Sequence, residues 1–525
     1  MISRFFFFFS LVLLAIPTIA QPHLFPLNNE LNQLIIGSRA DSTFNFHSSL
    51  KPLREDEMTF LVSSMDSLHV QRRSALNVLM NSDLIVFEKN AFSVQLNPII
   101  HAMMMTGTSN DSADQGYWLG AGAQLRMSLT KKLAFGGEYT YSKMSFADYV
   151  ENMTASKGIV PGMGIIDSTS RTNSYYSLYL NYAPVDYFSM EVGRGKQFIG
   201  HGYRSLLLSD NSMTYPYAKL MFNIWKVKYQ VMYSAYEHVT GFENNQTRYQ
   251  SKYSTSNYLS MNMGRNVQVG LFQTIIWQGQ NGSHERGFDV NYLNPIVFMR
   301  PVEFSIGSPD NVLMGLDLAY TVFKKYKFYG QIALDEFLLS EIKAQNGWWA
   351  NKFGFQLGIK AHELFAIKGL TVQLEYNQVR PYTYSHGNIV QNYGNYKESL
   401  AHTYGANFYE FIARATYVKN RWLFSANIVH SMQGLDDGAS NFGGDIYKSN
   451  QTRESGYGNF IGQGLSSDLS YQEVKAAYLI NPAWRLMAEI GYSSRQRFTE
   501  SKGAELNGML NIGLKTALYN QYLDF

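Results

Sequence analysis

The sequence predicts an all-β protein: a transmembrane, antiparallel outer-membrane β-barrel of about 16 to 18 strands, preceded by a partly helical segment that sits in the periplasm or plugs the lumen. Three observations predict it. The chain opens with an export signal. Charged residues make up only 16% and aromatics 15%, with 37 Tyr and 34 Phe, whereas ordinary soluble domains carry about 25% charge. Apolar and polar residues then alternate with period two in segment after segment, which is the mark of strands with one face in lipid and one in water.

The signal reads as Met1 to Arg4 with one positive charge, an apolar run from Phe5 to Ile16 broken by Ser10, and small residues at Thr18-Ile19-Ala20. Cleavage is expected after Ala20, which makes 1–20 a signal peptide. The competing reading, an uncleaved anchor, needs about 20 apolar residues, and this run is shorter. Residues 21–90 lack strand alternation: Leu24 to Ile36 and Leu68 to Phe87 mix apolar and polar residues, with Phe44 to Pro52 between them. They form the expected periplasmic or plug segment, and 91–525 the barrel. No later segment offers the apolar run of about 18 residues that a spanning helix requires. Roughly 500 residues would also overfill one soluble core.

In the barrel, Tyr117, Leu119, Ala121, Ala123, Leu125, Met127 and Leu129 share one face, and Trp118, Gly120, Gly122, Gln124, Arg126 and Ser128 the other. Lys131-Lys132 turns the chain, and Leu133, Phe135, Gly137, Tyr139 and Tyr141 then alternate with Ala134, Gly136, Glu138, Thr140 and Ser142. The same pattern recurs at 312–319, 353–360, 370–377 and 484–492. Tyr and Trp at strand ends read as interfacial belts. Short connections near Lys131, Pro184, Lys226, Arg265, Lys324, Lys419 and Pro482, with a longer one at His362 to Lys368, alternate with long polar stretches at about 145–173, 195–216, 239–256, 278–310, 381–408 and 432–467. Both termini on the short-turn side bring the count to about 18 strands, the upper end of the range. Tyr522-Leu523-Asp524-Phe525 ends the chain on an aromatic, and a final amphipathic strand is expected there.

Two of the long loops are too apolar to be solvated tips. One runs Gly193 to Asn211 and the other Arg286 to Glu303; both mix apolar runs with Arg, Asp and Glu, so both are expected to fold inward and narrow the lumen. Within the first, Gly200-His201-Gly202-Tyr203-Arg204-Ser205-Leu206-Leu207-Leu208-Ser209-Asp210-Asn211, followed by Tyr215-Pro216, resembles the G-x-G-[WY]-x-S-L-x-L-S-[ND]-N…P stretch of the Wzi capsule-assembly family. The segments Arg286 to Asp310, Asn346 to Lys352 and Glu375 to His386 resemble in particular the family's Bacteroidetes gliding-motility branch, RemB. The resemblance spans roughly residues 91–465. It implies an outer-membrane barrel concerned with holding capsular polysaccharide on the cell surface, and it carries no catalytic or ligand-contact role onto individual positions.

Candidate ligand-binding residues are Arg194, Lys196, Tyr203, Arg204, Asp210, Arg286, Asp289, Arg300, Trp348 and Trp349. Guanidinium groups suit the carboxylates of an acidic glycan, and the tryptophans suit sugar rings. The plainer alternatives are an ion-pair network that pins the loops and an interfacial aromatic belt. His201 and Ser205, near Asp210, invite a serine-hydrolase reading. Catalysis would need the imidazole on the hydroxyl and a third group orienting it, and Gly-His-Gly marks tight turns more simply. No catalytic residue, cofactor or metal is expected. Zero Cys rules out thiolate chemistry, and the 11 His lack ligand spacing. A net charge of +3 without a basic run gives no nucleic-acid surface. The expected partners are outer-membrane lipid, cell-surface polysaccharide, and proteins of a gliding or secretion apparatus. Three function classes follow: a non-enzymatic surface-assembly barrel, a diffusion porin or transport channel, and, least favoured, a barrel lipid hydrolase.

Overall fold

The structure, a computed structural model, describes residues 22–37, 46–58, 74–110, 112–167, 169–243, 246–281, 284–293 and 310–525. The expected signal peptide at 1–20, all of 59–73 and Arg300 lie outside these residues. Eighteen antiparallel strands close into a barrel. They are β1 Phe92–Ser109, β2 Ser112–Thr130, β3 Leu133–Ser145, β4 Thr172–Val185, β5 Phe188–Gly195 and β6 Tyr215–Ile224. There follow β7 Val227–Glu243, β8 Gln246–Met263, β9 Val267–Gln278, β10 Asn311–Val322, β11 Tyr326–Glu336 and β12 Lys352–His362. The wall ends with β13 Leu370–Val379, β14 Phe408–Lys419, β15 Trp422–Leu435, β16 Leu465–Asn481, β17 Leu486–Thr499 and β18 Gly503–Thr516. Closure pairs β18 with β1, from Asn507↔Ser109 to Lys515↔His101. Among the described residues no helix is long and apolar enough to cross a membrane. This is an outer-membrane β-barrel, and its strands cross the bilayer.

Alternation sorts the side chains as the sequence requires. On β2, Trp118, Gln124 and Ser128 are buried while Leu119 and Leu129 are exposed. On β10, Leu313, Asp317 and Ala319 face in, and Leu318 and Tyr320 face out. All eight short turns fall where expected, and that end faces the periplasm by the usual asymmetry of bacterial barrels.

Two expectations are corrected. The stretch 239–256 is no long loop, because β7 runs to Glu243 and β8 begins at Gln246. Past the membrane an outward polar side chain costs nothing, so the ladder continues through a bulge between Val239 and Gly241. Nor does the chain end on a strand. β18 stops at Thr516, and 517–525 turn into the lumen, with Leu518, Tyr519 and Tyr522 buried.

The lumen is filled. The segment 22–37, with helix α1 (Asn29–Ile35), and 46–58 lie inside. Phe25, Leu31, Leu53 and Met58 pack on Ala477, Leu479 and Met487 of the wall, and Lys475 Nζ meets Glu30 at 2.7 Å. Leu50-Lys51 pairs with Phe198-Ile199 of the loop after β5. That loop's Leu206, Leu207 and Leu208 are fully buried in one apolar cluster with Tyr384, Tyr393, Leu400 and Ala401 of the 380–407 loop. A second helix, α2 (Ala75–Asn81), caps the periplasmic rim, and the strand Ile85–Lys89 pairs with the start of β1.

Candidate functional site

The loop after β5 is held by charge as well as by leucine. Arg204 is buried, with its guanidinium 3.0 Å from Glu410 and 3.1 Å from Asp524 and between the rings of Tyr203 and Tyr522. The backbone N–H groups of Tyr203 and Arg204 donate to Glu375 at 2.7 and 3.1 Å. Gly202 is needed for this approach: a Cβ there would lie 2.6 Å from the Glu375 carboxylate. Gly200, at φ +137°, would press a Cβ onto Gln331. The Gly-His-Gly motif is thus a backbone device.

Lys196 Nζ donates to the Asp210 carbonyl at 3.0 Å, and burial pushes its ammonium pKa down. The Asp210 carboxylate accepts from Tyr522 and Asn520, both at 2.8 Å, and burial pushes its pKa up. Tyr203 Oη donates to Asp524. Lys196, Tyr203, Arg204 and Asp210 are therefore brought together, around the tail 519–525. Arg194 sits apart, on the outer face of β5 over Tyr176, with Nε donating to Thr214.

Arg286 bridges Asp289 and Asp310, each at 2.8 Å, and Tyr292 Oη also donates to Asp310. The described part of this loop does not fold inward as expected: Phe288 and Tyr292 pack on Ile275 and Trp277, outward positions of β9, and Tyr233 on the outer face of β7 donates to the Leu293 carbonyl, so its apolar run covers the outside of the wall. Trp348 and Trp349 are half-buried at the external rim. Trp349 stacks under Arg453 at 4.2 Å and meets Tyr382 edge-on. Ser205 Oγ donates to the Ile199 carbonyl at 2.5 Å, while His201 Nε2 lies 3.4 Å from Asp317. The hydroxyl's proton is thus directed at a carbonyl, an arrangement that gives a nucleophile no base.

The open space lies elsewhere. An external vestibule of about 880 Å³ is lined by Lys157, His238, Lys397, Glu398, Tyr404, Asp436, Asp445, Tyr447, Lys448, Arg497, Tyr522 and Phe525. Cations, carboxylates and aromatic rings share its wall, a composition able to take a polar, ring-bearing ligand. Glu398 ties three loops together, accepting from Gly162 N at 2.7 Å and Met213 N at 3.1 Å while Tyr447 Oη donates to its carbonyl. Burial outweighs those donors and pushes its carboxyl pKa up to about 7. The sequence places Lys157, Lys397 and Lys448 in three different long loops and does not bring them together, and it gives no sign that His238, Arg497 and the tail line the same space. Tyr522 lines both the vestibule and a smaller inner cavity of about 150 Å³ above α1, so the tail separates the two.

No family model matches the sequence, and no curated protein matches it. Among solved structures, Wzi of Escherichia coli, described as an outer-membrane protein involved in group 1 capsule assembly and a carbohydrate-binding β-barrel, aligns over 93% of this chain and 99% of its own. The TM-score is 0.55 at 13% identity. The barrel is Wzi-like. At that identity the likeness is one of fold. Occ proteins superpose more loosely: OccK2 of Pseudomonas aeruginosa, solved with glucuronate, at TM-score 0.43 and 10% identity over 81% of this chain and 98% of its own, and OccAB4 of Acinetobacter baumannii at 0.43 and 8% over 82% and 98%.

Proposed function

We propose that this barrel is a non-enzymatic surface protein that binds cell-surface polysaccharide in its external vestibule, serving capsule assembly or attachment or, as the RemB-like segments suggest, gliding motility. The observation that carries this reading is the filled lumen beneath an open vestibule. The segments 22–37 and 46–58, the tail 517–525 and the inward loops after β5 and β13 occupy the barrel's interior, leaving a concave, charged and aromatic surface on the cell's outside. Ligand contact then falls to Lys157, Lys397 and Arg497, with Trp348 and Trp349 on the adjoining rim. Arg204, Lys196 and Asp210 set the shape of the surface from below. The Wzi-like fold supports the reading, as does the loop motif at 200–211.

The diffusion-channel alternative needs a continuous aqueous path, and the plug counts against it. A hydrolase reading has only the His201 and Ser205 geometry to stand on, which does not favour it. The test is binding of the detergent-purified barrel to surface polysaccharide from the same organism, with an unrelated porin as control. Saturable binding that falls in the Lys157→Ala/Arg497→Ala double variant supports the vestibule. Binding no greater than the porin's sinks the polysaccharide reading and points to a protein of the motility or secretion apparatus. Planar-bilayer recording decides the channel alternative: a large steady conductance from the full chain would favour it.

A further inference from the structure

The periplasmic end carries a feature that the vestibule reading leaves unused. At the short turns, bulky aromatic side chains stand out into space: Trp225, Phe323 and Phe365 are 81%, 83% and 83% exposed. All three have positive φ, at 56°, 52° and 54°. That is the left-handed region, where a glycine or asparagine sits at little cost and a large side chain is strained. Contacts within the protein do not offset the strain, because the side chains are the most exposed large apolar groups among the described residues. Tyr187 and Trp422, at two further turns, are also about half exposed or more.

Cations alternate with these rings. Lys226, Arg265, Lys324, Lys368 and Lys419 occupy five different turns, and none forms an ion pair with a carboxylate among the described residues; Lys226 lies over the Trp225 ring at 4.9 Å. The acids on this rim include Asp186, Glu88 and Glu363, the last paired with Lys325 at 3.0 Å.

Beside the turns, α2 is fixed rigidly to the rim. Arg421 donates to the Met80 carbonyl and Asn81 Oδ1, and Asn481 donates to the carbonyls of Val78, Leu79 and Ser82. So held, α2 still exposes Leu76 and Leu79. The strand Ile85–Lys89 continues outward, and its Ile85 and Phe87 pair with Leu96 and Val94 on the lipid face of β1. The apolar surface of this flange is thus continuous with the barrel's lipid-facing belt.

We propose that the short-turn end is a collar that binds anionic phospholipid of the inner leaflet, its aromatic rings and flange seated at the acyl boundary and its lysines and Arg265 on the headgroup phosphates. The lipid takes up the exposed rings and so offsets the backbone strain at their turns. The unpaired cations select lipids of net negative charge over zwitterionic ones, through the same attraction that holds basic segments to anionic leaflets. This interaction is independent of whatever occupies the vestibule.

The natural chain has no Cys, so single fluorophores can be placed at Ile367→Cys on the collar and at Ser455→Cys on an exposed external loop. The full chain is reconstituted in vesicles that contain chain-brominated phosphatidylglycerol or chain-brominated phosphatidylcholine at equal mole fraction. Quenching at position 367 is expected with both lipids, about twofold or more stronger with phosphatidylglycerol, with none at position 455. The variant Lys226→Gln/Lys324→Gln/Lys368→Gln/Lys419→Gln, whose changes are all at the rim, should level the two lipids while heat-modified gel migration stays that of a folded barrel. Absence of quenching at 367 overturns the collar. Equal quenching by both lipids in the native rim, or a preference that survives the four substitutions, overturns its selectivity for anionic lipid.

Discussion

The wall and the plug of this barrel are held by different physics. Along β16, Val474 faces lipid and its neighbour Lys475 faces in, meeting Glu30, Glu473 and Glu489. The outward position asks only for an apolar side chain, and many would serve. The inward one is specified by three particular carboxylates, one of them 445 residues away in the chain. Tolerance belongs to the lipid face and specificity to the lumen, which reverses the habit of soluble proteins, where the apolar interior is the fitted part.

The contrast can be broken most forcefully at Arg204. Arg204→Ala strands the buried carboxylates of Glu410 and Asp524, an expected loss of about 3–5 kcal/mol, read as a lower urea midpoint and earlier protease entry into the external loops. Were the wall to unfold in the same step, plug and wall would form one cooperative unit and the division drawn above would fail. Val474→Arg attacks the other side. A cation at mid-membrane on the lipid face should cost about 2–4 kcal/mol in folding into vesicles, with lumen contacts intact in whatever folds.

A gentler probe is proton uptake at Glu398. The folded loops hold its proton up to about pH 7, against an ordinary value of 4.5, so its contribution is fully present below about 4.5 and is lost as pH rises through about 7. External-loop proteolysis should therefore quicken between pH 5 and pH 8, and Glu398→Gln should flatten that dependence. A native profile without slope would contradict the burial argument. Smallest is Trp349→Ala, which removes the stack under Arg453 and should cost about 0.5–1 kcal/mol, visible as local hydrogen exchange at the rim with the global midpoint unmoved.

The same division governs what the sequence could reveal. Strands such as β2 and β10 were legible because period two is a local signal, and the eight turns because Lys, Pro, Gly and Asn punctuate it. The loop at 193–211 is recognisable as inward-folding from its apolar run, and Arg204 pins it through ion pairs; the same apolar signal at 286–293 marks a loop laid on the outer face instead, because an apolar run does not say which side of the wall it covers. The partners were not legible: nothing local joins Arg204 to Asp524 or Lys475 to Glu30. The pairing of Glu243 with Gln246 is hidden in the sequence, because polar residues suit a loop and a ladder that outlasts the membrane equally well. An aromatic ending fits a strand and a plug equally well, and only the contacts of Asp210 with Asn520 and Tyr522 decide between them.

The lumen also imposes an order of events. Asn28 donates to the carbonyl of Tyr519 across 491 positions of chain, and the loop residue Asp210 is clasped by Asn520 and Tyr522 between them. Contacts so distant in sequence are the slowest to form, since closing the intervening chain costs entropy before any contact rewards it. The plug also packs on lumen positions of wall strands from late in the chain, Ala477, Leu479 and Met487, so it is expected to set after β1 and β18 have met. Until then the newborn barrel is an open ring with its charged interior wet and its two ends loose, and whatever delivers it to the membrane must hand over a vessel that stoppers itself from within.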